Sequence, residues 1–193
     1  MPPRPALRRA LYEKCVKVEI KPLSSVALAA VEALLDAAFG TDRHGRTAYR
    51  LREGVGVIAA LSVAAFIDGQ LAGTLQSWPV QWRGDAGDVV PLVMVGPVAV
   101  APAQQGGGIG RALMDALIER ADSRADGALM MIGDPEYYGR FWGFTADTTG
   151  DWRLPGPFEP HRLLARAANG HLPPSGAGAI GPDGRCGVAS AAR

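Results

Sequence analysis

The segment VAVAPAQQGGGIGRAL, from Val98 to Leu113, is the most informative part of this sequence. It begins in an apolar run, passes through a glycine-rich turn and continues into residues that favour a helix. A buried strand that runs into a helix in this way directs unpaired backbone N–H groups, and the positive end of the helix dipole, at one point. Glycines keep side chains away from that point, so a phosphate group can reach the N–H groups. The stretch therefore predicts a phosphate-binding turn in an α/β domain; the alternative is a strand-to-helix turn without a ligand.

Two common phosphate-binding motifs fit this stretch less well. A Walker loop ends in Gly-Lys-Ser/Thr, whereas Gly110 is followed by Arg111 and Ala112. The dinucleotide-binding fingerprint requires a third glycine where Arg111 stands, and it lies near the start of a βαβ unit. Neither nucleotide motif is therefore expected here.

The patterns on either side of the turn predict a mixed set of strands and helices. The Asp68-Gly69 pair predicts a hairpin, and Ser24 or Ser25 is expected to cap the first helix. The apolar run 89–100 predicts a strand buried on both faces, with a bulge at Gly96-Pro97. The predicted strands are 16–21, 61–67, 71–78, 89–100, 128–132 and one or two within 152–168. The predicted helices are 24–39, a short one within 42–53, 111–124 and 136–142, and 79–87 is expected to be a loop or connecting hairpin.

Composition limits the classes of function. The 193 residues are 48% hydrophobic and 20% charged, which is typical of one globular domain. A formal net charge of +1 gives no electrostatic reason to expect a nucleic-acid partner, and no apolar run is long enough to predict a membrane partner. The two cysteines, Cys15 and Cys186, predict a reducing cytoplasm rather than a disulfide framework. We expect a flexible arm over 1–15, a domain over 16–168 and a disordered tail over 169–193, which is rich in Gly, Pro, Ala and Ser.

The spacing Gln105-x-x-Gly108-x-Gly110 resembles the Q/R-x-x-G-x-G/A signature of the GNAT acetyltransferase superfamily. The segment 133–144, in which two tyrosines precede Gly143-Phe144, is similar to the second half of that fold. The segments 47–52 and 154–164 are similar to a bacterial subgroup of predicted N-acetyltransferases. The resemblance covers about 16–168.

This resemblance implies a fold and an activity. The fold is α/β (α+β), with a twisted, mixed, mostly antiparallel sheet of six or seven strands and about four helices, in which strands 89–100 and 128–132 are locally parallel. The activity is acetyl-CoA-dependent acyl transfer to an amine of a small molecule or peptide, by direct attack and without a metal, in a monomer or homodimer. The alternative is a non-catalytic acyl-CoA-binding module. The residues expected to bind the coenzyme are Val98, Ala99, Val100, Gln105, Gly106, Gly107, Gly108, Ile109, Gly110, Arg111 and Tyr138.

Two positions depart from the family pattern. Gly107 stands where members of the subgroup often have an arginine, which predicts weaker coenzyme binding or compensation by Arg111. Tyr138 lies five residues before Gly143 rather than four, as if Trp142 were inserted. Because one extra residue turns a helix by ~100°, the spacing leaves open which tyrosine occupies the family position.

The chemistry of acyl transfer suggests an acid and a base. Tyr138 is the predicted general acid for the coenzyme thiolate, since a tyrosine pKa near ~10 lies close to a thiol pKa near ~8.5. Tyr137 is the alternative, and both rings could instead serve only packing. Glu136 and Asp134 are candidate bases acting through water, although Asp134 before Pro135 is also typical of a helix cap. A group of basic side chains is either a solvated helix face or the border of a pocket for an anionic acceptor: Arg43, Arg46, Arg50 and Arg52.

Overall fold

The computed structural model describes residues 17–184. The predicted N-terminal arm, both cysteines and the last nine residues of the chain lie outside the described residues. The strands of the described part are β1 (Val18–Pro22), β2 (Val63–Ile67), β3 (Gln70–Gly84), β4 (Val89–Val100), β5 (Ala128–Ile132), β6 (Trp152–Arg153), β7 (Leu163–Arg166) and β8 (Gly178–Pro182). Its α-helices are α1 (Leu28–Phe39), α2 (Thr47–Arg50), α3 (Ile109–Arg124) and α4 (Pro135–Trp142). Within residues 17–184, no helix has the length and apolar character that crossing a membrane requires.

One mixed sheet contains all of these strands. Its main order is β1-β2-β3-β4-β5-β7, and β8 pairs with β3 and with β6. Neighbours along the main order are antiparallel except β4 and β5, which are parallel, as predicted. The sheet has eight strands in the described residues, against the six or seven expected. The mixed α/β fold class is confirmed.

Strands β4 and β5 lie at the centre of the core because their side chains alternate between two apolar clusters. Val93 and Leu129 belong to the cluster that contains the buried face of α3, with Leu113 and Leu117. The neighbouring residues along the strands point the other way, into a cluster with Trp82, Trp152 and Leu163. Burial on both faces explains why these strands read as continuous apolar runs.

The expected disorder from residue 169 onward is wrong for the described part of that segment, because it contains β8. Val80 to Gly84 of β3 pair with this strand, and Ile180 is only 4% exposed. A Cβ on Gly178 would lie 2.3 Å from the indole of Trp82, so the glycine lets the large ring cover the strand. The segment 178–182 forms a strand despite its low apolar content, because its small residues pack under Trp82 of β3.

One local expectation also requires correction, and one open alternative is resolved. Helix α1 begins at Leu28, and the serines lie in a 3₁₀ turn, Leu23–Ser25, where the Ser25 hydroxyl donates to the carbonyl oxygen of Pro22 at 2.8 Å. Neither serine therefore caps α1. Of the two alternatives for 79–87, a loop or a connecting hairpin, the structure has the hairpin: residues 79–84 extend β3 and pair with both β4 and β8.

Candidate active site

The centre of the site is the point at which β4 and β5 separate. The two strands pair from Leu92 and Ala128 to Met94 and Met130, and no further in the described residues. Strand β4 nevertheless continues to Val100 and stays paired with β3 on its other side. Beyond Met94, the edge of β4 that faces β5 consequently carries backbone groups that no strand of the described residues binds.

A bulge lies just after this point, as the sequence predicted. Ser77 pairs with Val95 and Leu75 pairs with Val98, so Gln76 alone faces Gly96 and Pro97. Proline has no N–H to donate to a ladder, which favours a bulge at this position. The bulge therefore interrupts β4 between the point of separation and the glycine turn.

The glycine turn follows β4 directly. Gly108 has a left-handed backbone, with φ of 78°, and immediately precedes α3. The backbone N–H groups of Gly108, Ile109, Gly110 and Arg111 donate to no acceptor in residues 17–184. A Cβ on Gly106 or Gly108 would meet no atom within 4 Å, so the space above the turn is open. The turn can therefore receive an anion on several unpaired N–H groups.

Arg111, predicted to compensate for the missing arginine at Gly107, already has neighbours. Its Nε lies 3.9 Å from Oδ2 of Asp115, and its guanidinium lies 4.5 Å from the centre of the Phe141 ring. More than half of the Arg111 side chain remains exposed. The side chain thus stays beside the turn without being held rigidly.

Helix α4 begins at a side-chain cap. Oδ1 of Asp134 accepts a hydrogen bond from the backbone N–H of Tyr137 at 2.8 Å, and Pro135 occupies the first helical position. Asp134 therefore has the cap role that the sequence raised as one alternative. Glu136 lies in the first turn of α4 with its side chain exposed, and it does not line the cleft described below.

The two tyrosines of α4 lie in different surroundings. Tyr138 packs against the main apolar cluster, and its ring lies so close to Gly133 that a Cβ there would be 2.6 Å from it. Tyr137 is 41% exposed and its ring contacts Phe141 and Trp142. Burial raises the pKa of the Tyr138 hydroxyl above its ordinary value, and Tyr137 adds to the rise. That hydroxyl has no hydrogen-bond partner among residues 17–184.

The hydrogen bonds at the C-terminal end of α4 bear on the position of the additional residue. The carbonyl oxygen of Tyr138 accepts from the N–H groups of both Gly143 and Phe144, five and six residues ahead, which is wider than the usual α-helical spacing. Gly143 adopts a left-handed conformation, and Trp142 is 8% exposed. The N–H of Gly143 also donates to the carbonyl oxygen of Gly139 at 3.0 Å, the ordinary α-helical spacing, so a bulge near Trp142 stays a prediction. The Tyr138 ring packs against the main apolar cluster.

A cleft of about 690 Å³ opens beside the separated strands. Pro97 of the bulge and Ile132 at the end of β5 line it, which places the cleft at the point of separation. Glu159 is the sole carboxylate that lines it within the described residues. Four arginines also line it: Arg43, Arg46, Arg52 and Arg162. The sequence reasoning missed Glu159 and Arg162, although the segment 154–164 had been noted as similar to a family subgroup.

Two of these arginines are buried, and their surroundings differ. Arg43 is 2% exposed and contacts the carboxylates of Glu32 and Asp36, with Nε 2.8 Å from Oδ1 of Asp36. Burial alone would lower the pKa of Arg43, but these bonds and one to Tyr49 raise it. Arg52 is 7% exposed, and burial lowers its pKa.

Comparisons with known proteins agree with this geometry. Residues 19–145 match the family described as the acetyltransferase (GNAT) domain. The uncharacterised N-acetyltransferase YhbS of Escherichia coli K12 is 30% identical over 145 residues, which cover 72% of this chain and 84% of that protein.

Two solved structures have similar folds. One is E. coli YhbS in complex with CoA, with a TM-score of 0.61 and 24% identity, covering 88% of this chain and 91% of that one. The other is a GNAT family acetyltransferase from Brucella melitensis in complex with acetyl-CoA, with a TM-score of 0.55 and 26% identity, covering 84% and 94%. The chain belongs to the GNAT superfamily of N-acetyltransferases and is an acyltransferase.

Proposed function

We propose that this protein transfers the acetyl group of acetyl-CoA to an amine by direct attack. One observation carries the proposal: the unpaired edge of β4 leads directly into the open glycine turn, and Tyr138 packs beside Gly133, just after the strand from which β4 separates. The similar structures solved with CoA and acetyl-CoA support a coenzyme as the ligand of this protein.

The glycine turn would bind the diphosphate of the coenzyme. The free N–H groups of residues 108–111 point out of the start of α3, where the helix dipole also favours negative charge. Gln105, Gly106 and Gly107 are exposed on the same turn and would border the phosphates. The unpaired edge at Val98, Ala99 and Val100 would bind the amides of the pantetheine arm as an additional strand does.

The acceptor would occupy the cleft. Because Pro97 and Ile132 line it, an amine there can approach a thioester held along β4. The attacking nitrogen forms a bond to the thioester carbon, and the carbon–sulfur bond then breaks. Holding the two reactants side by side is itself a large part of the rate enhancement in such transfers.

Tyr138 would donate its proton to the departing thiolate. Like any tyrosine, it is protonated in the neutral range, and no protein acceptor competes for that proton among the described residues. The proton lost by the ammonium group requires a carboxylate acting through water. Glu159 lines the cleft, whereas Glu136 does not, so Glu159 is the better-placed base.

Two measurements test the proposal together. Calorimetric titration with acetyl-CoA measures binding, and thiol release across a panel of amines measures transfer. Binding with turnover of at least one amine is the expected result. Binding without turnover of any amine would favour the non-catalytic acyl-CoA-binding module, and absence of binding would contradict the assignment of the site.

A further inference from the structure

We infer that the acceptor amine carries an anionic group, a carboxylate or a phosphate, and that Arg52 binds this group in the cleft. The inference rests on the proposed function, because it takes the cleft as the acceptor site. It goes beyond that function by naming the chemical class of the acceptor.

The surroundings of Arg52 carry the inference. Nη1 of Arg52 donates to Oε1 of Gln76 at 3.2 Å, and the guanidinium carbon lies 3.6 Å from the centre of the Tyr49 ring and 4.9 Å from that of Trp78. No Asp or Glu side chain in residues 17–184 forms an ion pair with it. A buried guanidinium with no carboxylate in direct contact is unfavourable, and an anionic ligand would supply such a contact.

The neighbouring Arg43, which also lines the cleft, has different partners from Arg52. Arg43 is also buried, but it has two carboxylate partners, Glu32 and Asp36, and also donates to the Tyr49 hydroxyl. Glu32 is close enough to raise the pKa of Arg52, yet its carboxylate is bonded to Arg43. Two carboxylates thus balance the charges of two arginines, but both of them bond to Arg43. The guanidinium of Arg52 therefore has no carboxylate in direct contact and can bind one from a ligand.

The position of Arg52 also suits an acceptor. Gln76, which binds Arg52, is the residue of β3 that faces the Gly96-Pro97 bulge. An anion held by Arg52 would therefore lie near the strand separation, with its amine free to extend toward the thioester. A short amino acid or an aminoalkyl phosphate has this shape, and both of these anions accept well-directed hydrogen bonds from a guanidinium.

The rest of the cleft has the same sign of charge. Arg46 donates to the carbonyl oxygen of Phe39 at 3.1 Å and has no carboxylate partner in the described residues. Nη1 of Arg162 lies 3.8 Å from Oε1 of Glu159, the one carboxylate of the lining. The cleft therefore favours an anion and disfavours a polyamine.

The experiment compares matched amines as acceptors at saturating acetyl-CoA. The anionic probes are β-alanine, 4-aminobutyrate and O-phosphoethanolamine, the neutral ones are β-alaninamide and ethanolamine, and spermidine is the cationic probe. We expect kcat/KM to be about tenfold or more higher for the best anionic probe than for its neutral counterpart, as for a charged hydrogen bond. The comparison of 4-aminobutyrate with O-phosphoethanolamine distinguishes carboxylate from phosphate.

Arg52→Gln should remove most of this preference, and Arg52→Lys should retain part of it. Arg124→Gln is the control, because Arg124 is exposed at the end of α3 and outside the cleft. If Arg52→Gln does not fold, Arg46→Gln at the exposed border of the cleft should weaken the preference instead. Calorimetric titration of inorganic phosphate and 4-aminobutyrate into wild type and variants provides a readout that does not depend on turnover.

Equal or better use of neutral or cationic amines, with acetyl-CoA still bound, would overturn the inference and leave the proposed function intact. The absence of both anion binding and anion preference would also overturn it. Failure to bind acetyl-CoA would instead contradict the proposed function, so the two failures are distinguishable.

Discussion

The indole Nε1 of Trp142 donates a hydrogen bond to Oδ1 of Asp115 at 2.8 Å. This bond connects α4, which carries Tyr138, to α3, which begins at the glycine turn. The Trp142 ring also lies 5.7 Å from that of Tyr138, centre to centre. The residue that appeared inserted in the sequence is therefore part of the link between the proposed coenzyme site and the proposed acid.

Asp115→Ala should weaken this link. It leaves the mostly buried Nε1 of Trp142 without its acceptor, so we expect a loss of about 1 kcal/mol in the free energy of unfolding and a fall in Tm of about 2–4 °C. Asp115→Asn keeps an oxygen at the same place and should lose less than half as much. Urea and thermal unfolding measure both variants. An Asp115→Ala protein as stable as wild type would show that the bond contributes nothing.

Gly108→Asp should abolish coenzyme binding while preserving the fold. Aspartate tolerates the left-handed conformation, and a Cβ at this position meets no atom within 4 Å, but its charge would lie where the diphosphate is expected. We expect an affinity for CoA at least about 100-fold lower by calorimetry. Gly87→Asp is the matched control. Gly87 also has a positive φ and open space around it, but it lies in the turn between β3 and β4 rather than at the start of α3. Unchanged affinity in Gly108→Asp would move the coenzyme site elsewhere.

Gly178→Ala should destabilise the protein, because its methyl group would lie 2.3 Å from the Trp82 indole and 2.8 Å from the carbonyl oxygen of Arg83. Overpacking of this kind costs about 1–3 kcal/mol. Gly181→Ala lies in the same strand and meets no atom within 4 Å, so its stability should match wild type. Equal melting temperatures for the two variants would mean that β8 does not contribute to the core as described.

Local patterns allowed much of this fold to be predicted. The hairpin at Asp68-Gly69 is present with positive φ at both residues, as such a turn requires. Strand β5 has the predicted limits, and α3 begins two residues before its predicted start. In each case the residues that determine the structure lie next to one another in the chain.

Features formed by distant residues could not be predicted in this way. Strand β8 depends on Trp82, and the setting of Arg52 depends on Gln76. Glu159 reaches the cleft only because the loop before β7 folds toward α2, where the hydroxyl of Thr47 donates to the carbonyl oxygen of Pro157 at 2.6 Å. No pattern within any of these segments indicates its partner.

Glu159→Gln should lower kcat if this carboxylate receives the proton of the acceptor through water. The usual range for losing a positioned base is about 10²–10⁴-fold, and transfer should recover at higher pH, where more of the amine arrives neutral. Glu136→Gln, in the first turn of α4 and away from the cleft, should be nearly silent. A large loss confined to Glu136→Gln would reverse the assignment. Because Glu159 also lies near Arg162, the pH profile separates catalysis from a change in charge alone.

Tyr138→Phe tests the proposed acid. The ring and its packing remain while the hydroxyl is lost, so kcat should fall by about 10²–10⁴-fold with little change in KM for acetyl-CoA. Tyr137→Phe should be nearly silent, since adjacent helical residues point ~100° apart and the Tyr137 ring lies on the exposed side.

The pH dependence of kcat tests the same assignment independently. The acid acts in its protonated form, and burial raises the pKa of Tyr138, so wild-type kcat should stay level past the ordinary pKa of tyrosine before it declines. In Tyr138→Phe the remaining activity should lack that alkaline decline, because no tyrosine proton is involved. An alkaline decline at or below the ordinary tyrosine pKa would contradict a buried acid. A large loss of kcat only in Tyr137→Phe would assign the role of acid to Tyr137. If neither variant loses kcat with an acceptor that is turned over, solvent is the source of the proton.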